Sequence, residues 1–105
     1  MGLELRQEYV VLRVDGDVFE IFRRGAFSER IPLAWLAVQI QPSIRGKLIL
    51  RMECSRDDGP LYEVLHKAKV GRGEAVDLVI GTEEEPFYRQ FFTQVAQLCG
   101  RPVAP

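Results

Sequence analysis

Apolar and polar residues alternate along most of this chain, and a period of two predicts half-buried β-strands. Seven runs show a strand pattern: 9–14, 18–23, 30–36, 38–41, 46–54, 61–66 and 76–80. In the clearest run, Leu48, Leu50 and Met52 fall on one face and mostly charged residues on the other. Pro32 has no N–H to donate, so we expect an edge strand or a bent connector over 30–36. The pattern favours a mainly β fold.

Two local signals predict how this β region begins and ends. An Asp-Gly pair at 15–16 separates the first two runs, and this pair is typical of a tight β-hairpin. From Thr82 onward the apolar period becomes that of a helix. Thr82 with Glu85 resembles a capping box, and Pro86 suits the first helical turn. We therefore expect the only long helix to start between Thr82 and Pro86 and to end by Gly100.

The predicted helix has a broad apolar face. At ~100° per residue, its apolar side chains cover an arc of roughly 140°. These side chains are Phe87, Tyr88, Phe91, Phe92, Val95, Leu98 and Cys99. The predicted core combines part of this face with strand residues: Leu48, Leu50, Met52, Val76, Leu78, Ile80, Phe87, Phe91 and Val95.

The order of these elements resembles the pleckstrin-homology-like fold. That family has four strands, then three, then a capping C-terminal helix, which would match 9–41, 46–80 and 86–99 here. Pleckstrin-homology domains proper usually carry a tryptophan in the cap helix, whereas the only tryptophan of this chain is Trp35. The resemblance is therefore to the looser bacterial group of such folds. It implies a seven-stranded barrel of two orthogonal antiparallel sheets in a single domain, 1–105, with its core at about 8–99.

Composition narrows the class of protein. The 105 residues carry 14 Lys and Arg against 15 Asp and Glu, so the basic excess typical of nucleic-acid binders is missing. Cys54 and Cys99 have no CxxC spacing, and a single histidine cannot complete a common zinc set. We expect both cysteines to be small, buried, free thiols. The charged N-terminus and the lack of a long apolar run predict a cytoplasmic protein without a membrane span.

Candidate catalytic groups lack the neighbours that catalysis needs. Asp57 and Asp58 precede Gly-Pro and are typical of a solvated turn. His66 has no nucleophile in a suitable context, and the glutamates at 83–85 suit the positive start of a helix. The sequence therefore predicts a protein that is not an enzyme and holds no metal or cofactor.

The remaining hypothesis is a protein or peptide interaction module, with a second copy of the chain as one candidate partner. The helix arc is wider than the ~100° that packing on one side requires, so either the helix packs against both sheets or the margin of its arc stays uncovered. We predict a partner-binding rim at Tyr88, Arg89 and Phe92. The neighbouring strand edge over 47–54, represented by Lys47, Ile49 and Arg51, should add backbone hydrogen bonds.

An alternative is anion or phospholipid-headgroup binding by the loop 66–72. His66, Lys67, Lys69 and Arg72 cluster there, and glycines at 71 and 73 would let the backbone approach an anion. Peripheral membrane contact belongs to this alternative. In the related family, basic residues around the first hairpin loop bind the headgroup. The loop at 15–17 is short and acidic here, which argues against lipid.

Overall fold

Two four-stranded sheets and one helix make up the described part of the chain, residues 2–55, 59–68 and 75–104 of a computed structural model. The strands are β1 Glu4–Arg6, β2 Val10–Asp15, β3 Val18–Arg23, β4 Glu29–Pro32, β5 Leu36–Pro42, β6 Leu48–Cys54, β7 Tyr62–Val64 and β8 Ala75–Ile80. The helix is α1, Glu85–Cys99. Sheet A has the order β1-β2-β3-β4, and sheet B has the order β7-β5-β6-β8.

Sheet A is an antiparallel meander that includes the predicted hairpin. Gly16 turns between β2 and β3 with φ of 61°, a left-handed conformation that glycine adopts at little cost. The run 30–36 contains the end of β4 and a 3₁₀ turn over Leu33–Trp35. Its first part is therefore an edge strand, and its second part is a bent connector. β1 lies before residue 8, outside the region in which the sequence places the core.

Sheet B departs from a simple meander because β7 crosses to the far side of β5. There β7 runs parallel to β5, whereas β6 pairs antiparallel with both β5 and β8. Val103 of the C-terminal tail then forms a parallel bridge with Tyr62 of β7. β6 is therefore an interior strand with a neighbour on each side.

The helix begins and ends where the sequence predicts. Gly100 caps it in a left-handed conformation and donates its N–H to the carbonyls of Ala96 and Gln97. The buried face of α1 is rotated from the predicted one, because Glu85 and Ala96 are buried whereas Phe87 is 59% exposed. The prediction of Phe87 as a core residue is wrong.

The core lies between the two sheets and α1. Six predicted members are buried as expected: Leu50, Met52, Val76, Ile80, Phe91 and Val95. Leu48 and Leu78 are partly buried and pack against it. Phe92 lies among aromatic rings, with centroids 5.2 Å from Phe91, 5.8 Å from Phe19 and 5.9 Å from Tyr62.

The predicted class, mainly β with one C-terminal helix, is confirmed. The finer description is wrong in two respects, since the described residues form eight strands rather than seven and the sheets do not close into a barrel. Among the described residues β4 pairs only with β3 and β8 pairs only with β6, so a seam separates the two sheets at these edges. In the described ranges no helix combines the length and apolar character that crossing a membrane requires.

Candidate functional site

Sheet edges are the sites where a β protein can accept another strand, and natural proteins usually protect them with charges, proline or short strands. Both edges of sheet A have such protection. β1 is three residues long and presents exposed Glu4 and Arg6. β4 presents exposed Glu29 and Arg30 and ends in Pro32. Neither strand therefore offers a long apolar edge.

The edge of sheet B at β7 is short and covered by the C-terminal tail. The N–H of Ala104 donates to the Tyr62 carbonyl at 2.9 Å, and the N–H of Leu61 donates to the Pro102 carbonyl at 2.9 Å. These bonds occupy part of the outer side of β7. The tail thus protects this edge by pairing with it.

The fourth edge, β8, lacks these devices over its six residues. Its sequence AVDLVI has no proline or lysine, and its only charge is Asp77. Arg51 neutralises that charge, since its Nε and Nη2 donate to the two Asp77 carboxylate oxygens at 2.8 and 3.0 Å. Val79 is 65% exposed. Within the described residues, β8 is the long and apolar edge that remains free of a second strand.

Hydrogen bonds at the ends of the β5–β6 pair show which backbone groups of β6 face β8. The N–H of Ser43 donates to the Lys47 carbonyl at 3.0 Å, and the N–H of Ser55 donates to the Trp35 carbonyl at 2.6 Å. Hydrogen-bonded pairs alternate along an antiparallel ladder, so in this register Leu50 and its alternate neighbours point their backbone groups away from β5. These groups therefore face β8.

The same alternation assigns the backbone groups of β8. Leu50 pairs with Leu78, so Leu78 and its alternate neighbours, Val76 and Ile80, bond to β6. The N–H and carbonyl groups on the free edge consequently belong to Ala75, Asp77 and Val79. An added strand would find three residues that each present one donor and one acceptor.

Two clefts separate the free edge from sheet A. One has a volume of about 630 Å³ and lies near the start of β8, where Trp35 and Ala75 are among its lining residues. The other has a volume of about 490 Å³ and lies near the end of β8, where Arg23, Ile80 and Tyr88 are among its lining residues. We call them the Trp35 cleft and the Arg23 cleft. Together they flank both ends of the β8 edge.

Arg23 and Arg24 bring positive charge to the Arg23 cleft. The Nε atom of Arg23 is buried and has no hydrogen-bond partner among the described residues. The Arg24 guanidinium lies 5.8 Å from the centre of the Tyr9 ring, a cation–π geometry. The cleft therefore contains a buried donor whose hydrogen-bonding capacity is unused.

The Tyr88 hydroxyl group remains neutral at physiological pH. Burial and the nearby Glu84 charge raise the pKa of Tyr88 to about 12. Glu84 itself accepts a hydrogen bond from the Gly81 N–H at 3.0 Å. Tyr88 thus adds a neutral phenol to the Arg23 cleft rather than an anion.

The helix rim predicted from the sequence is not exposed as expected. Tyr88 and Phe92 are only 2% and 0% exposed, so the prediction of an aromatic rim at these residues is wrong. Arg89 is exposed, but its guanidinium donates to both oxygens of Glu85 at 2.7 and 2.8 Å. Leu98 is half-exposed at the opposite margin of the buried arc.

The predicted free edge over 47–54 is also wrong, because β6 has neighbours on both sides. Lys47 is exposed just before β6, whereas Ile49 is partly buried and lies opposite Val79. Arg51 is partly buried and binds Asp77. The backbone of this strand cannot accept another strand without losing β5 or β8.

The alternative anion loop is only partly described. His66 and Lys67 are exposed, and Lys69 and Arg72 lie outside the described residues. Anion binding by this loop therefore stays a prediction. Cys99 is half-buried, whereas Cys54 is exposed, so the prediction of a buried Cys54 is wrong; both thiols are free.

One buried polar cluster was not predicted. Glu85 accepts hydrogen bonds from the Tyr62 hydroxyl at 3.1 Å and from Arg89, which occupies both carboxylate oxygens. The four-residue spacing of Glu85 and Arg89 is a helical signal that could have identified half of this cluster. Burial and the Glu85 charge raise the pKa of Tyr62 well above its usual value.

Comparison with known proteins found no matching family model, curated protein or solved structure. The candidate site is therefore inferred from the structure of this chain alone.

Proposed function

We propose that this chain is a non-catalytic interaction module that binds an extended polypeptide segment as an added strand on the β8 edge. The observation that carries the proposal is the contrast among the four sheet edges. β1, β4 and β7 are short, and each carries charges, a proline or a paired tail. β8 is six residues long, apolar and without such protection in the described part of the chain.

Strand addition uses chemistry that this edge presents. The outward N–H and carbonyl groups of Ala75, Asp77 and Val79 would form backbone hydrogen bonds that do not depend on the partner sequence. Side chains of the added strand opposite Val76 and Ile80 would point towards the inner face, where the two clefts lie. The edge would supply affinity, and the clefts would supply specificity.

The non-catalytic part of the proposal draws support from how charged groups are used. Glu20 accepts hydrogen bonds from Arg13 at 2.9 Å and from Arg30 at 3.0 Å on the outer face of sheet A. Asp77 on β8 likewise accepts a hydrogen bond from Arg51 on the neighbouring strand β6. Charged groups that are paired in this way stabilise the fold. Acid–base catalysis, in contrast, usually needs a group that is free to exchange a proton and whose pKa suits that exchange.

A proline at Val79 tests the proposal directly. Val79→Pro removes an outward N–H and leaves the bonds between β8 and β6 intact, because edge positions of this kind tolerate proline. The protein would be immobilised at low density, so that copies do not meet, and used to select binders from a displayed library of random peptides. We expect the selected peptides to bind the parent and to lose binding to Val79→Pro.

Val64→Pro is the matched control on the other edge of sheet B. Val64 is 44% exposed on β7. The Leu61 carbonyl and the Leu65 N–H bond to β5, so by alternation the N–H of Val64 faces away from β5. We expect the selected peptides to bind Val64→Pro as they bind the parent. Equal binding to Val79→Pro, or a selection that yields no binders, would refute strand addition at β8.

A second copy of the chain is the other occupant that this edge could accept. Light scattering after size exclusion measures this at increasing protein concentration. A dimer that Val79→Pro converts to a monomer would show that β8 adds a strand from another copy. A dimer that Val79→Pro leaves unchanged would place self-association on another surface.

A further inference from the structure

Arg23 occupies a position where β3 otherwise presents apolar side chains. Phe19 and Ile21 face the core from alternate positions of β3 and are fully buried. Arg23 continues this row and lies opposite Val10, itself a core residue. The side chain therefore enters the mouth of the space between the sheets, and there its Nε is buried without a partner among the described residues.

A buried guanidinium nitrogen without an acceptor is unfavourable, because the donor has lost water and gained no replacement. Two carboxylates also line the Arg23 cleft, those of Glu8 and Glu84. Glu84 accepts a hydrogen bond from Gly81, and the described residues show no ion pair between Arg23 and either glutamate. An external carboxylate would supply the acceptor that Arg23 lacks.

The register of β8 indicates which position of an added strand would carry such a carboxylate. Opposite Val76, Leu78 and Ile80, an antiparallel strand would form non-hydrogen-bonded pairs, in which facing side chains approach most closely. Those side chains would share the inner face with their β8 partners. Ile80 lines the Arg23 cleft together with Arg23, so the residue opposite Ile80 would point its side chain towards the guanidinium.

The positions opposite Leu78 and Val76 adjoin apolar side chains. Leu78 is partly buried and lines the Arg23 cleft with Ile80, whereas Val76 is buried and lines the Trp35 cleft with Met52 and Ile31. Apolar side chains would be favoured opposite both residues.

We infer that the segment bound by β8 is antiparallel and carries an acidic side chain opposite Ile80, bound by Arg23, followed at alternate positions by two apolar residues opposite Leu78 and Val76. The inference rests on the proposed strand addition and specifies its partner. The recognised pattern is acidic–x–apolar–x–apolar in an extended stretch of polypeptide.

The probe is the blocked peptide acetyl-Glu-Thr-Val-Thr-Val-Lys-amide, whose capped ends remove the terminal charges. Its matched control replaces the glutamate with glutamine. Titration calorimetry measures both peptides against the parent and against Arg23→Gln. A charged hydrogen bond of this kind predicts binding about tenfold weaker for either single change. Because both changes remove one interaction, combining them should produce little further loss.

Arg6→Gln is the control outside both clefts, since Arg6 is exposed on the edge strand β1 and pairs with Glu4. We expect this change to weaken binding of the glutamate peptide by less than about twofold, because a charge that makes no direct contact with the peptide is screened. Thermal melting shows whether each variant folds. If Arg23→Gln does not fold, the parent still tests the inference, because rising salt should weaken binding of the glutamate peptide more than binding of the glutamine peptide, which keeps only the lysine charge.

The outcomes separate this inference from strand addition. If both peptides bind the parent equally and Val79→Pro abolishes both, strand addition stands and the Arg23 assignment is overturned. Independent losses for Arg23→Gln and for the glutamine peptide would also overturn it. If neither peptide binds the parent while library peptides do, the partner pattern is wrong. If no peptide of either kind binds, both proposals fail.

Discussion

Replacing Phe92 with alanine tests which face of α1 is buried. Phe92 is fully buried, and its ring lies within 6 Å, centroid to centroid, of Phe19, Tyr62 and Phe91. Truncation of such a residue costs about 3–5 kcal/mol, from lost transfer free energy and from the cavity that remains. Because the ring contacts both sheets, little of the cavity can close, and we expect a value near the upper end.

Phe87→Ala is the matched control, a phenylalanine truncated on the same helix. Phe87 is more than half exposed, and exposed substitutions usually change the free energy of unfolding by less than about 0.5 kcal/mol. Urea unfolding followed by circular dichroism measures both variants. At about 4–8 °C per kcal/mol, Phe92→Ala should also melt at least 12 °C below the parent.

Two results would refute the reasoning. Equal losses in the two variants would mean that α1 is not rotated as described. A loss below about 1 kcal/mol in Phe92→Ala would mean that its ring is not enclosed. Phe92→Leu refines the measurement, because leucine refills part of the cavity and should recover part of the lost stability.

The features of the fold that depend on residues close together in the sequence could be predicted. The hairpin at Gly16 follows from a pair that readily adopts the left-handed turn, and the helix stop at Gly100 has the same cause. The alternation through Leu50 and Met52 is enforced by burial of one face of β6. These signals lie within a few residues of the structure they determine.

The rotation of α1 could not be predicted in this way. Apolar residues define an arc, but Phe87 lies at its exposed margin, whereas Glu85 is buried beyond the other margin. A glutamate at a helix start is usually solvated. Here Tyr62, from a strand distant in sequence, and Arg89 satisfy its carboxylate. A tertiary contact therefore decided the buried face.

The candidate site could not be predicted from the sequence for a related reason. Alternation identifies the two faces of a strand, but it does not identify the strand's neighbours. β6 was expected to be an edge because the run 38–41 was assigned to the first sheet, but β5 pairs with β6 in sheet B and β8 pairs with its other side. Arg23 gave a signal that could have been used, since a charged residue follows Phe19 and Ile21 at the next inward position of β3.

Two further predictions concern pH. Because the pKa of Tyr88 is raised to about 12 from an ordinary 10, the folded state holds this proton more tightly, and its stabilisation is lost as pH rises from 10 towards 12. In urea unfolding at pH 8 and pH 11, Tyr88→Phe should lose less stability between the two than the parent does; an equal loss would contradict the assignment. Glu20 acts at the opposite end of the scale. Burial raises the pKa of Glu20, but hydrogen bonds from Arg30 and Arg13 lower it by more, so the net pKa lies below the usual 4.5. The folded state thus favours the carboxylate, and its stabilisation is present above pH 4.5 and disappears as pH falls through the lowered pKa. Glu20→Gln removes this titration, so we expect the parent to lose more stability than Glu20→Gln between pH 7 and pH 3. Glu4→Gln is the control, because Glu4 lies in the same row of sheet A, across from Arg13, and is exposed on the short edge strand β1. If the acid losses of Glu20→Gln and the parent coincide, the two arginines do not hold the Glu20 carboxylate in the folded state.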